Sequence, residues 1–310
     1  MEIKSGKQIK IEELKDKNFD LFFLSENHEK RSYSLHEKIV KLNININKTF
    51  VFCYKDYVAD NNKDDIYKVK IDSHTQILEL IDSEIKKIEK KEVRIIVDYS
   101  CMTKPWYYSI ILYLKNKKSN LNSIDIYFSY TPSKFIEPQN PKPNKDIGPL
   151  PGKYVVPTDK PKALIVCLGY EQNKAEGIIE HLDPKISYLF YTKPAIEKEF
   201  VNTLEKNNRS ILKERKKYVR TYPFNDLLVL ERELTYLYHL LRNDYSIIIA
   251  PLGPKPFTFI AMLMSIKYDD IDIWRVGSGN DINEYDNEPS PKGNFIICEV
   301  LFEDSDNSLT

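Results

Sequence analysis

Short apolar runs alternate along this chain with longer stretches in which apolar residues recur every three or four positions. Residues 19–24 and 49–54 are runs rich in phenylalanine, and residues 66–71 alternate apolar with polar. Between them, residues 32–42 set Leu35, Ile39 and Leu42 on one helical face, and residues 75–90 do the same with Ile77, Ile81, Ile85 and Ile88. The run 93–97 then passes through a polar turn into an apolar, aromatic helix from Trp106, and residues 124–129 close the series. The same alternation returns further on. Strands are expected at 162–168, 185–191, 218–222, 245–250, 271–276 and 295–301, and helices at 173–182, 194–213, 225–241 and after Lys255. Residues 9–17 read as a short helical entry. Strands that alternate with helices of ten or more residues pair in parallel, and runs this continuously apolar are covered on both faces.

Residues 136–162 interrupt the pattern. Pro138, Pro141, Pro143, Pro149, Pro151, Pro157 and Pro161 fall there, which marks a stiff connector. The expected architecture is α/β: two tandem Rossmann-like units with mainly parallel sheets, related by a pseudo-two-fold. The first unit spans residues 1–135, the connector 136–162, the second unit 163–302, and residues 303–310 form a loose tail.

Two turns carry the candidate chemistry. In the first half a strand ends in Asp98-Tyr99-Ser100, followed by Cys101-Met102-Thr103-Lys104-Pro105 and an apolar helix. In the second, a strand ends in Pro251-Leu252-Gly253-Pro254, followed by Lys255-Pro256-Phe257 and an apolar helix. Pro105 suits the first helical position, where its missing N–H is no loss. The first amides of a helix point outward at the positive end of its dipole, and a lysine adds a full charge, so each turn is suited to an anion such as a phosphate. The two Lys-Pro turns lie about half of the 310-residue chain apart, the signature of an internal duplication. In parallel sheets the ligand crevice lies outside the carboxyl ends of the strands. In each half that edge also holds the turn after the first strand: Ser25-Glu26-Asn27-His28, and Gly169-Tyr170-Glu171-Gln172-Asn173. Candidate ligand contacts are therefore Ser25, Glu26, Asn27, Asp98, Ser100, Met102, Thr103 and Lys104, with Gly169, Tyr170, Glu171, Leu252, Gly253, Pro254 and Lys255.

Several of these residues have plainer readings. Asp98 either meets a ribose hydroxyl or a metal, or caps its turn; the cap is favoured. Tyr170 either stacks on a base or is a loop aromatic. Trp106, Tyr107 and Tyr108 read as helix core. Cys101 lies where a helix start lowers a thiol pKa, but no histidine partner can be read beside it. His28, His36, His74, His181 and His239 are scattered without metal-ligand spacing.

Composition narrows the classes. The chain carries 46 basic and 46 acidic side chains, and this zero balance does not suit binding of long nucleic acid. The basic stretch 206–220 reads as a solvated helix face. Cys53, Cys101, Cys167 and Cys298 make no C-x-x-C pair, so neither a zinc site nor a redox motif is expected, and no motif in the chain calls for a metal or a cofactor. No apolar run is long enough to span a bilayer, and Met1-Glu2-Ile3-Lys4-Ser5-Gly6-Lys7 lacks a signal-peptide core, so a soluble cytoplasmic protein is expected.

The order of strand, short turn, helix, further strands and then a Gly/Ser-Thr/Pro-Lys-Pro turn before an apolar helix resembles the CRISPR-associated Rossmann-fold (CARF) sensor domain. Met102-Thr103-Lys104-Pro105 and Gly253-Pro254-Lys255-Pro256 match that family's second motif in part: neither has its paired glycines, and the second lacks the threonine. Two such units in one chain resemble the SAVED domain. The resemblance spans residues 19–130 and 163–276. It implies binding of a nucleotide second messenger of the cyclic-oligonucleotide type in a crevice between the two halves, as a sensor in antiviral defence. Ser100, Thr103, Lys104, Gly253 and Lys255 carry over as phosphate and base contacts. Family members usually carry an attached effector, and none is recognisable here, which leaves a bare sensor, a ring-opening nuclease or a subunit acting on an effector protein partner. Two alternatives remain: a metal-independent phosphodiesterase that degrades such a ligand, for which the sequence offers no clear general base, and a non-catalytic subunit of a defence complex. The protein is expected as a monomer with an internal pseudo-two-fold or as a homodimer.

Overall fold

The computed structural model describes residues 1–54, 65–117, 121–140, 143–277 and 286–304. In chain order it begins with β1 (Glu2–Ile9), a 3-10 turn (Ile11–Leu14), β2 (Asn18–Glu26), α1 (Ser34–Lys41), β3 (Asn45–Cys53) and β4 (Ile66–Lys70). α2 (His74–Lys86), β5 (Glu92–Asp98), α3 (Lys104–Asn116) and β6 (Ser123–Tyr130) follow. Then come β7 (Asp146–Pro149), β8 (Lys162–Cys167), α4 (Lys174–Leu182), β9 (Ile186–Thr192), α5 (Lys198–Asn207) and α6 (Arg209–Glu214). The last elements are β10 (Val219–Tyr222), α7 (Leu227–Leu241), β11 (Ser246–Pro251), α8 (Lys255–Lys267), β12 (Ile271–Gly277) and β13 (Ile296–Glu303).

The strands form two mixed, mostly parallel sheets, and the chain divides into two units: Met1–Lys134 with Glu284–Thr310, and Phe135–Asn283. In the first unit the order is β1-β13-β6-β5-β2-β3-β4, with β2 to β6 parallel and β13 and β1 antiparallel at one side. In the second the order is β10-β9-β8-β11-β12-β7, parallel except for β7 at the edge. Counting only parallel strands in chain order, both sheets read 3-2-1-4-5 from one edge. That is the Rossmann arrangement, in which the crossovers part company between the first and fourth strands.

The apolar runs become strands because both of their faces are covered. Phe19, Phe22, Phe23 and Leu24 of β2 are fully buried. The one charge inside that strand, Asp20, accepts from Lys90 Nζ at 2.6 Å and Arg94 N at 3.0 Å, so its burial leaves it satisfied. Leu35 and Ile39 of α1 pack on Phe22, Leu24, Val51 and Ile96. In the second unit Ile178 and Leu182 of α4, Leu204 of α5 and Ile211 of α6 pack on Leu164, Val166 and Leu189. α7 packs beside α8, with Tyr238 stacked on Tyr268 at 3.9 Å between ring centroids. Cys53, Cys167 and Cys298 are buried small hydrophobes, and burial pushes the thiols of Cys53 and Cys298 up to about 11 and about 12.

Four expectations need correction, and one strand lies where none was expected. The last strand does not join the second unit: β13 lies between β6 and β1 in the first sheet, with Ile297 opposite Ser129 and Phe302 opposite Ile124. There Ile296, Ile297, Val300 and Phe302 of β13 are buried. The polar residues 2–9, which carry no apolar signal, form the edge strand β1 because β13 supplies their hydrogen-bond ladder. The connector is not wholly irregular, since Asp146–Pro149 adds a strand against β12, with proline only at the strand's end. The charged helical region after Pro194 is two helices, broken at Asn208. In the expected tail, Glu303 ends β13, and residues 305–310 lie outside the described residues.

Candidate functional site

At the switch point of each sheet, the turns after the first and fourth parallel strands come together. In the second unit these follow β8 and β11, and glycine is what lets them meet. A Cβ on Gly169 would stand 2.7 Å from Leu252 O, and one on Gly253 would stand 2.5 Å from Cys167 Sγ and 2.7 Å from Leu168 O. From the other side two consecutive amides hold the first turn: Asn207 Nδ2 donates to Tyr170 O at 2.7 Å, and Asn208 Nδ2 donates to Gly169 O at 3.0 Å. Tyr170 is half-buried against Phe135 and Phe200, and Glu171 pairs with Lys174. Leu252, Gly253, Pro254 and Lys255 are all half-exposed along the second turn.

In the first unit the turns follow β2 and β5, and buried side chains rather than glycines join them. Buried Arg31 donates through Nε to Glu29 at 2.7 Å, through Nη1 to Tyr130 Oη at 3.2 Å and Thr131 O at 2.9 Å, and through Nη2 to Ser100 O at 3.2 Å. Burial works against its charge, but Tyr130 and Glu29 outweigh that and raise its pKa above the ordinary value. Residues 286–290 lie across this network: Asn287 Nδ2 donates to Glu29 at 2.9 Å, and Glu288 pairs with Lys30 and Lys134.

The sequence-chosen residues of this unit divide into two groups. Ser25, Asp98, Ser100 and Met102 are buried. Asp98 is the turn cap, its carboxylate accepting from Ser100 N at 3.0 Å and from Ser100 Oγ, while Ser100 Oγ in turn receives Thr131 N at 2.7 Å. Glu26 pairs with Lys68 at 3.0 Å, and Asn27 accepts from Glu29 N at 2.9 Å. Thr103 and Lys104 are half-exposed. Cys101 is buried, with Ser32 Oγ 3.5 Å from its sulfur and its carbonyl accepting from Tyr54 Oη at 2.7 Å. Trp106, Tyr107 and Tyr108 are core, as expected.

The two Lys-Pro starts are alike. Lys104 is the first residue of α3 after Thr103 at the N-cap, and Lys255 is the first residue of α8 after Pro254. Each proline is thus the second helical residue rather than the first, a position whose N–H has no partner within the helix either. Neither N-cap side chain caps its helix, the proline at the second position has no N–H, and Trp106 N and Phe257 N donate to Thr103 O at 3.1 Å and Pro254 O at 3.0 Å, so what the two starts share toward an anion is the positive end of the helix dipole and the lysine.

The Arg31–Glu29 pair and the Asn207–Asn208 clamp escaped the sequence reading. The one available signal for the clamp was the Asn-Asn pair inside a charged helical stretch, since asparagine favours helix ends. Among the described residues, no cluster of histidine, cysteine and carboxylate side chains could hold a metal, and no helix is long and apolar enough to cross a membrane.

No family model matches the chain, and no curated protein matches it. Among solved structures it is similar to a functionally unknown protein of Pseudomonas aeruginosa PAO1, with 9% identity and a TM-score of 0.24 over 83% of this chain and 92% of that one. A likeness at that level carries no argument.

Proposed function

We propose that the protein binds a nucleotide second messenger of the cyclic-oligonucleotide type and acts as a sensor in antiviral defence. Within each unit a phosphate sits over the helix start that follows the fourth parallel strand, α3 in the first and α8 in the second. The observation that carries this reading is that Lys104 and Lys255 open corresponding helices, each after the fourth parallel strand of a 3-2-1-4-5 sheet. A helix start attracts an anion through the positive end of its dipole, and a half-exposed lysine there adds a cation. The ladder of a phosphodiester offers such groups repeatedly, and Tyr170 lies at the second switch point, where a base can stack. Of the two hydroxyls in the first Lys-Pro turn, Ser100 is unsuited to attack a phosphodiester because it is buried and already engaged by Asp98 and Thr131 N, which favours binding over cleavage.

Purified protein incubated with a panel of cyclic and linear oligonucleotides tests this through two readouts, thermal unfolding and ligand integrity. A ligand at a hundred times its Kd adds about 2.7 kcal/mol of stability. Lys104→Ala and Lys255→Ala are each expected to weaken binding by about 1–3 kcal/mol, the range for losing a hydrogen bond to a charged group. Stabilisation with intact ligand supports the sensor. Breakdown of the ligand supports the phosphodiesterase instead, and an unchanged melt with every ligand leaves the non-catalytic subunit. Binding that survives both substitutions at full strength removes the helix starts from the site.

A further inference from the structure

α7 buries one side, through Leu227, Leu230, Leu234, Leu237 and Leu241, yet its opposite side is not polar. Leu228, Tyr236 and Leu240 are 50%, 62% and 51% exposed, and exposed Arg232 falls in step with them. These four residues recur every fourth position, so they form a single ridge of the kind that packs into the groove of another helix. Single exposed apolar side chains are ordinary, but three along one ridge are not scattered.

We propose that this ridge is the seam of a homodimer in which α7 packs antiparallel against α7 of a second copy. The order Leu-Arg-Tyr-Leu is what selects a second copy. An isologous contact must be self-complementary, and an antiparallel pairing centred on Leu234 sets Leu228 against Leu240 of the second copy and Arg232 over the ring of Tyr236 of the second copy. A guanidinium over an aromatic face is attractive, and the two helix dipoles oppose each other. The charged residues of α7 are Glu231, Arg232 and Glu233, a net acidic set. That set disfavours an anionic bilayer or a nucleic acid, both of which select helices rich in lysine and arginine. One ridge alone is small for a stable contact, and the segment that reaches the C-terminal end of α7 exposes further apolar side chains. Lys153 Nζ is held by Ser265 O and Ile271 O, and Lys160 Nζ donates to Arg242 O just past the end of α7. Between those anchors Tyr154 and Val156 are 78% and 72% exposed. This inference is independent of the nucleotide reading.

Light scattering across a concentration series tests it. The parent is expected to be a dimer. Leu228→Glu and Leu240→Lys are each expected to raise the dimer Kd at least about tenfold, since each loses apolar contact at both ends of the seam. The double variant Leu228→Glu/Leu240→Lys is expected to recover most of that loss, because the pairing sets each glutamate against a lysine. All four positions are exposed, so circular-dichroism melts should match the parent. A parent that stays monomeric throughout overturns the proposal, including one that instead sediments with phosphatidylserine vesicles. So do single variants that dimerise like the parent, or a double variant no tighter than the singles.

Discussion

Two glycines and one arginine decide how the switch points are built. Gly253 has no room for a methyl group, because Cys167 Sγ and Leu168 O both stand where its Cβ would go. Gly253→Ala is therefore expected to destabilise the second unit by about 1–3 kcal/mol, the usual range for overpacking. Gly148 has nothing within 4 Å of a Cβ, so Gly148→Ala should be neutral or slightly stabilising, and urea unfolding of the two variants side by side checks the contrast. In the first unit, Arg31→Leu would strand the buried Glu29 carboxylate, and a loss of about 3–5 kcal/mol is expected. Glu29→Leu/Arg31→Leu should lose clearly less than the two single losses added together, because neither charge is then left alone. Additive losses in that double-mutant cycle would show that the pair is not coupled. The two helix-opening lysines were legible in the sequence because a Lys-Pro-aromatic step between an apolar strand and an apolar helix recurs half a chain apart. Arg31 was not, because a single arginine in a polar turn looks solvated. Its partners Ser100, Tyr130 and Thr131 come from strands that only the folded sheet brings to it.

At the scale of elements, α2 and α3 are locked together by one carboxylate. Asp82 accepts from Lys117 Nζ at 2.7 Å and Tyr113 Oη at 2.9 Å, and pairs with Lys86 one turn along its own helix. Hydrogen bonds from Lys117, then Lys86 and Tyr113, hold its pKa below the ordinary carboxylate value. A carboxylate whose folded pKa is depressed stabilises the fold in full above its unfolded pKa of about 3.9, and that contribution is lost as pH falls toward the folded value. Asp82→Asn should lower stability by about 2 kcal/mol at neutral pH, the loss of charged hydrogen bonds to a buried lysine, and by less as the pH is taken below about 4. Denaturation at pH 7 and pH 3 measures this, and an equal loss at both would remove the carboxylate's charge from the account. Elements like these were legible because their apolar residues keep a period: Ile77, Ile81 and Ile85 announce α2, and Phe19 to Leu24 announce β2. β1 was not, because an edge strand that faces water needs no apolar period and takes its order from β13.

For the whole molecule, the consequential feature is that the first unit closes with the last strand of the chain. β13 pairs with β6 through Ile296 to Glu303 and with β1 on its other side. No local pattern could announce this, since a strand's period specifies a face and not a partner. The second unit runs without interruption from Phe135 to Asn283, while the first needs residues from both ends of the chain. Loop closure over such a span is unfavourable until the strand docks, so the second unit should complete its sheet before the first. A chain ending at Asn283 then makes a sharp test. It loses Ile297 and Phe302 from the core, exposes the hydrogen-bonding edge of β6 and leaves β1 with no ladder, while β7 to β12 keep every strand partner. Hydrogen exchange on that chain should show protection lost in β1 and β6 and retained in β8 and β11. Protection lost equally in both sheets would mean that the second unit cannot hold its fold alone. Protection retained in β6 would mean that β13 finishes the first sheet without being needed to hold it.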